Sequence, residues 1–183
     1  MATPVLGFAA FSGTGKTTLL KRLIPLLKRA GLRVGAIKHS HHSFDVDHPG
    51  KDSFELRAAG ASPVMITSSK RRAVITERET PREPSLAEEL TLLEDSGLDL
   101  ILVEGFKHER YPKIELHRPA LGKPLLFPED DSIIALATDD PQPSDSLAIP
   151  RLDLNDPRQI ADFILDWLHA CSGSNQPLRP YIP

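Results

Sequence analysis

The stretch best suited to chemistry lies near the start of this 183-residue chain, where Ala10, Phe11 and Ser12 lead into Gly13, Thr14, Gly15, Lys16, Thr17 and Thr18. Gly13 and Gly15 allow the backbone to curl so that successive amides point inward at an anion. A helix beginning near Gly15 adds unpaired N–H groups and the positive end of its dipole. Lys16 offers a mobile cation to the outer phosphates of a nucleotide, and the Thr17 hydroxyl is a suitable Mg²⁺ ligand. The run therefore reads as a phosphate-binding loop ending in Gly-Lys-Thr, with Ala10 where a glycine is usual. An ordinary helix-entry turn is the competing reading. The strand expected before the loop and the helix expected after it weigh against that.

A triphosphate site also needs a carboxylate at a neighbouring strand end. Glu104 follows the apolar run 98–103 and precedes Gly105. Asp99 competes with it but stands at the start of that run, whereas ligands of parallel sheets gather at the carboxyl ends. Lys107, in the loop beyond, reads either as a phosphate contact or as a plain exposed cation. Lys38, His39, Ser40, His41 and His42 follow another expected strand, and Asp45, Asp47, His48 and Asp52 come next. His39 and His41 share a face of extended chain and could ligate a transition metal. No cysteine assists them, so anion recognition by Lys38, His39 and His42 is the favoured reading. Asp52 either assists at Mg²⁺ or caps the helix it opens. Asp139, after the apolar run 133–137, can accept from two donors on one edge of guanine; with Asp140 and Pro141 it can equally form a turn.

These residues must be held by a frame, and its periodicities are legible. Residues 5–10 read as a buried strand. Residues 15–30 carry a helical stripe at Leu19, Leu20, Leu23, Ile24 and Leu27, with a kink expected at Pro25. Residues 33–38 read as a strand and 53–59 as a short helix stopped by Gly60. Residues 64–67 and 73–76 read as a hairpin around a basic turn, 69–72. A long helix is expected over 85–97, opened by Ser85 and Glu88 as a capping box. The apolar run 98–103 reads as a central parallel strand. Residues 114–116, 133–137 and 152–154 are further strands, and Pro157 opens a last helix with Ile160, Phe163, Ile164 and Trp167 on one side. The alternation makes the fold α/β, a mostly parallel sheet flanked by helices with a small β-hairpin.

Composition narrows the classes of function. With 22 basic and 25 acidic residues the net charge is −3, which argues against nucleic acid or an anionic membrane as the main partner. The single cysteine, Cys171, cannot form an internal disulfide, as expected of a reducing compartment. No apolar run has the ~18 residues of a membrane span, and residues 4–11 lack the basic flank of a signal peptide. Eleven of the 17 prolines lie from Pro112 onward, so short strands and loops are expected there. The length suits one nucleotide-binding domain over residues 1–170, in the cytoplasm. Residues 171–183 read as a flexible tail whose Leu178, Tyr181 and Ile182 could dock on a partner.

Five segments taken together resemble the molybdopterin-guanine dinucleotide biosynthesis protein B (MobB) family: residues 11–20, 38–42, 49–53, 58–61 and 98–107. The likeness runs from about Val5 to about Leu168. The histidine pair, followed later by Glu104, Gly105, Phe106 and Lys107, is more telling than the phosphate loop. The resemblance implies a P-loop fold, a homodimer, GTP with Mg²⁺, and assistance to the guanylyltransferase that attaches GMP to molybdopterin, with molybdopterin itself a candidate ligand. It also implies a weak GTPase at most. The residues agree, because the only glutamines that could orient a water are Gln142, Gln159 and Gln176, all distant in sequence from the loop. A small-molecule kinase on the same fold would need a lid of arginines, for which Arg71, Arg72 and Arg78 are the nearest candidates. A metallochaperone GTPase would use the histidines as its cargo site.

Overall fold

The computed structural model describes residues 3–40, 43–140 and 147–173. The roles suggested for His41, His42, Pro141, Gln142 and the last ten residues lie outside the described residues. In chain order the elements are β1 (Val5–Ala9), α1 (Lys16–Arg29), β2 (Val34–Lys38), α2 (Asp52–Ala58), β3 (Val64–Thr67), β4 (Arg72–Ile75), α3 (Leu86–Thr91), β5 (Leu100–Glu104), β6 (Lys113–His117), β7 (Ile133–Thr138), β8 (Arg151–Asp153) and α4 (Pro157–Gly173). They fall into two compact units, Met1–His39 with Ser85–Pro183, and Ser40–Pro84.

The larger unit is a six-stranded sheet in the order β2-β5-β1-β6-β7-β8, with every neighbouring pair parallel. Parallel strands need cover on both faces, and β5 shows how that is met. Leu100 and Leu102 join Leu23 and Leu27 of α1 and Ile160 and Ile164 of α4 in one core. Ile101 and Val103, one residue out of phase, join Leu86 of α3, Phe106 and Tyr111 in a second. Each such fully buried side chain contributes about 1.5–3 kcal/mol. Because all strands run the same way, their carboxyl ends form one rim. Lys38, Glu104 and Phe8 stand side by side on it across β2, β5 and β1, and His117, Thr138 and Asp153 across β6, β7 and β8.

Three expectations are corrected here. The run 98–103 does not lie at the middle of the sheet: β5 is second from the edge, and β1 and β6 are central. Its apolarity reports cover on two faces, which every inner strand shares. Residues 85–97 do not form one long capped helix. α3 stops at Thr91, a 3₁₀ turn occupies Glu94–Ser96, and Ser85 makes no side-chain capping bond. Instead the Leu86 N–H donates to the Glu109 carboxylate at 3.0 Å. Leu86, Leu90 and Leu93 pack inward, but Leu92 is exposed, so under two turns have a buried stripe to hold them. The third is one of extent: the proline-rich last third does hold the short strands expected there, but the helix expected from Pro157 runs 17 residues, with Pro157 in its first position, where a missing N–H costs nothing. α1, for its part, runs unbroken through Pro25.

The smaller unit joins α2 to the antiparallel hairpin β3–β4, whose register pairs Met65 with Val74 and Thr67 with Arg72. The second strand begins one residue earlier than its pattern suggests, closed by the Ser68 N–H donating to the Arg71 carbonyl at 2.9 Å. No buried residue comes from α2. Val64 of the hairpin is buried, and beside it the unit relies on polar bonds centred on Arg57. Its guanidinium donates to Asp45 at 2.9 Å, to Asp47 at 2.6 Å and to Glu77, and stands 5.3 Å over the Phe54 ring.

Candidate functional site

At the rim of the larger unit β1 ends at Ala9 and the chain curls into α1. Gly13 and Gly15 have φ of +83° and +100°, yet a Cβ at either would meet nothing within 4 Å. Conformation, not room, demands glycine there. Thr14 is buried, and its hydroxyl closes the loop onto the Phe11 carbonyl at 2.8 Å. The first helical amides, Lys16, Thr17 and Thr18, have no acceptor within the helix and remain for a ligand. The Lys16 ammonium folds back on the Ala10 and Phe11 carbonyls at 2.9 and 3.4 Å. Burial pulls its pKa below the ordinary lysine value; Glu104 opposes that, while Lys38 and Lys107 add to it. Several cations therefore crowd one spot, and a polyanion placed there relieves their repulsion.

Glu104 faces this loop. Lys38 lies 3.8 Å from one carboxylate oxygen and the Thr17 hydroxyl 3.5 Å from the other. A hydroxyl and a carboxylate at that separation are the hard-oxygen pair that suits Mg²⁺. The corner carrying Glu104 is held from several sides. Gly105 has φ +106°, and a Cβ on it would sit 2.6 Å from the His39 Cβ. Phe106 keeps a positive φ of 50°, a strained setting that persists where its surroundings over-determine it. The His39 N–H donates to the Glu104 carbonyl at 2.8 Å, and its ring stacks on Phe106 at 4.7 Å. The Tyr111 hydroxyl donates to the Gly105 carbonyl at 2.9 Å, its ring so close over Gly7 that a Cβ there would lie 2.5 Å away. Asp99, at the far end of β5, is engaged by the Arg33 amide at 2.7 Å and its guanidinium at 3.2 Å.

On the other side of the loop Asp139 follows β7, where it forms an ion pair with Arg118. The same guanidinium donates to the Thr14 carbonyl at 3.0 Å and to the Asn155 side-chain oxygen at 3.3 Å. A groove of about 260 Å³ opens here, lined by Thr14, Thr18, Leu19, Arg118, Leu154 and Asn155 among others. The structure thus brings Gly13, Thr14, Gly15, Lys16, Thr17, Thr18, Lys38, His39, Glu104 and Asp139 to the rim of one sheet. Asp52 belongs to the smaller unit, as the first residue of α2. The cap position is Lys51 and no side-chain capping bond is made. Among the described residues no three His, Cys, Asp or Glu side chains gather as a metal site.

Sequence reading missed Arg118, Asn155 and Tyr111. For Arg118 a signal was available. It stands two residues beyond the strand expected at 114–116, and a strand parallel to β1 delivers its next residues to the phosphate end.

A parallel sheet whose first strand passes through a Gly-Lys-Thr loop into a helix, with an acid ending the adjacent strand, defines the P-loop NTPase-like class. Within that class the chain belongs to the MobB family. Residues 5–139 match the family described as Molybdopterin guanine dinucleotide synthesis protein B. The chain is 48% identical over 171 residues to the molybdopterin-guanine dinucleotide biosynthesis adapter protein of Escherichia coli, covering 93% of this chain and 96% of that one. It is 46% identical to the protein of the same name from Haemophilus influenzae, over 93% of each. The crystal structure of a MobB homologue from Bacillus stearothermophilus superposes with a TM-score of 0.66 at 25% identity, over 91% of this chain and 98% of that one. Among the described residues no helix is long and apolar enough to cross a membrane.

Proposed function

We propose that this chain is a GTP-binding adapter of molybdenum cofactor biosynthesis, working beside the guanylyltransferase that attaches GMP to molybdopterin. Family membership supports the cofactor pathway, and the relatives' names support the adapter role. The observation that carries the nucleotide is the cluster of Lys16, Lys38 and Lys107 at a loop curled by two positive-φ glycines, with burial already lowering the Lys16 pKa. In the complex the Lys16 ammonium leaves the Ala10 and Phe11 carbonyls for the outer phosphates, and the loop amides take the inner ones. Thr17 and Glu104 would hold Mg²⁺, with Asp52 as a further candidate; when bound, the ion offsets phosphate charge. Lys38 and His39 stand at the phosphate end, and Asp139 reads the base. Gln142, Gln159 and Gln176 all lie far from the loop in sequence, so slow turnover by the isolated protein is the expected outcome.

A homodimer in the cytoplasm completes the reading. The homodimer's support lies in the smaller unit, where Met65 and Val74 face each other across the hairpin and both are exposed, as are Ile66, next in sequence to Met65, and Leu56 of α2. Apolar side chains so placed are suited to burial by a second copy. The test of the nucleotide is calorimetry with GTP, ATP and molybdopterin in Mg²⁺. GTP alone, or GTP before ATP, is expected to bind; absence of any nucleotide binding refutes the reading.

A further inference from the structure

We propose that Arg118 makes base recognition and phosphate binding a single event. It orients Asp139 toward the donor edge of a guanine while fixing the Thr14 carbonyl of the phosphate loop. This inference rests on the nucleotide reading above and assigns its specificity to a residue outside every recognised motif of the chain.

The geometry is that of one planar fork serving three elements. Arg118 follows β6 directly; its partners are Thr14 in the phosphate loop, Asp139 after β7 and Asn155 after β8. A guanidinium has five N–H donors in fixed directions, so it can meet three acceptors without losing its orientation, which a lysine ammonium on a flexible stem cannot match.

Its effect on the loop follows from peptide planarity. In a trans peptide the carbonyl of one residue and the N–H of the next point in opposite directions. Holding the Thr14 carbonyl toward Arg118 therefore turns the Gly15 N–H away from Arg118. Gly15, with its φ of +100°, is the residue at which the loop becomes the helix. Arg118 thus fixes the direction of an amide that belongs to the anion cradle.

The effect at the base is separate. Asp139 engages Arg118 through one carboxylate oxygen, Oδ2. An ionised carboxylate offers about four acceptor sites, so capacity remains for two donors of a base edge. Guanine presents an N–H and an amino group side by side. Adenine presents one donor beside an acceptor, which sets a lone pair against the carboxylate. Without Arg118 the Asp139 side chain loses its fixed direction, and discrimination between the two bases falls. The groove lined by Thr18, Leu154 and Asn155 reaches from the phosphate loop to Arg118, the residue that holds Asp139.

The experiment titrates the full chain in Mg²⁺ with GTP, ATP and inorganic tripolyphosphate, for the wild type, Arg118→Ala, Arg118→Lys and Asp139→Asn, with thermal melts to establish folding. In Arg118→Ala, GTP affinity is expected to fall roughly tenfold or more, the scale of a lost charged hydrogen bond. Tripolyphosphate affinity falls less, and the GTP-to-ATP preference moves toward one. Arg118→Lys recovers tripolyphosphate affinity without recovering the preference. Asp139→Asn loses the preference and keeps tripolyphosphate affinity. Equal losses for all three ligands in Arg118→Ala would mean a merely structural arginine and overturn the proposal, as would an unchanged GTP-to-ATP preference. Should Arg118→Ala fail to fold, Arg118→Lys decides, because a retained preference in that variant refutes the need for a fork. A wild type that binds tripolyphosphate but no nucleotide would refute the base pocket as well. One that binds none of the three ligands would refute the nucleotide reading itself.

Discussion

The two units of this molecule are held together by different physics. In the larger one, strands buried on both faces cohere through leucine, isoleucine and valine, and the polar chemistry is confined to the rim where those strands end. In the smaller one, α2 contributes no buried residue, two of its hairpin's side chains face outward as the exposed Met65–Val74 pair, and a single guanidinium gathers Asp45, Asp47 and Glu77. Apolar packing does not itself depend on any group staying ionised, and it holds a site rigidly. A charge cluster specifies geometry but depends on each partner staying ionised. The rigid unit is therefore where a phosphate cradle would be expected, and the exposed hairpin is where an association surface would be.

Stability offers the largest test of that contrast. Leu102→Ala, in the fully buried row of β5, should cost about 2–5 kcal/mol by chemical denaturation, the usual range for a leucine cavity. Val74→Ala, on the exposed face of the hairpin, should cost about 0.5 kcal/mol or less while weakening self-association measured by sedimentation. Comparable losses from both would show that Val74 is as buried in solution as Leu102, and the contrast would fail.

Binding gives the next test. Lys16→Ala should lower GTP affinity by roughly a hundredfold or more, the scale of truncating one side of a buried charged contact, with the melting temperature within a few degrees of wild type. Retained affinity would place the phosphates elsewhere. The two units can then be set against each other through their metal candidates. Glu104→Gln should weaken the Mg²⁺ dependence of GTP binding about tenfold and Asp52→Asn by less, since Glu104 already stands 3.5 Å from the Thr17 hydroxyl. The reverse order would show that Glu104 is not the carboxylate on which the metal depends.

How much of this could be read without coordinates follows the same division. The cradle was legible because its signal is local: two glycines, a lysine and a threonine in one run, between an apolar strand and an amphipathic helix. Glu104 was legible because a strand end is local too. The parallel sheet's order was not, since the apolarity of residues 98–103 tells only that both faces are covered. Ser85 and Glu88 matched a capping box in spelling, but Ser85 makes no side-chain cap, and the Leu86 amide at the same helix end is taken by the Glu109 carboxylate, 23 residues away in sequence. Arg118 was passed over for the same reason, as its three partners lie 104, 21 and 37 residues away. Arg57 too, given no role by the short helix expected over 53–59, is the hub of its unit only because Asp45, Asp47 and Glu77 converge on it in space.

The smallest effect expected is one of sign, and it separates the units by pH. Glu115 is buried in β6. Burial raises its carboxyl above the ordinary 4.5, against the pull of hydrogen bonds from the Leu126 and Phe127 amides. A group with a raised native pKa contributes stability that is fully present below its unfolded value and lost as pH rises through the native one. Asp47 shifts the opposite way: its bond to Arg57 holds it below the ordinary 3.8. Its contribution is present above that value and lost as pH falls toward the native one. Glu115→Gln and Asp47→Asn each remove one titration while leaving a hydrogen-bond acceptor in place. Relative to Glu115→Gln, the wild type should therefore lose stability in the larger unit as pH climbs above about 4.5. Relative to Asp47→Asn, amide protection of the hairpin should decline only below about pH 4. Hydrogen exchange resolved by segment, from about pH 7 down to about pH 3, reads both slopes at once. Two slopes of the same sign would mean that the Asp47–Arg57 cluster behaves as a desolvated burden like Glu115, and the smaller unit would owe its shape to something other than its charges.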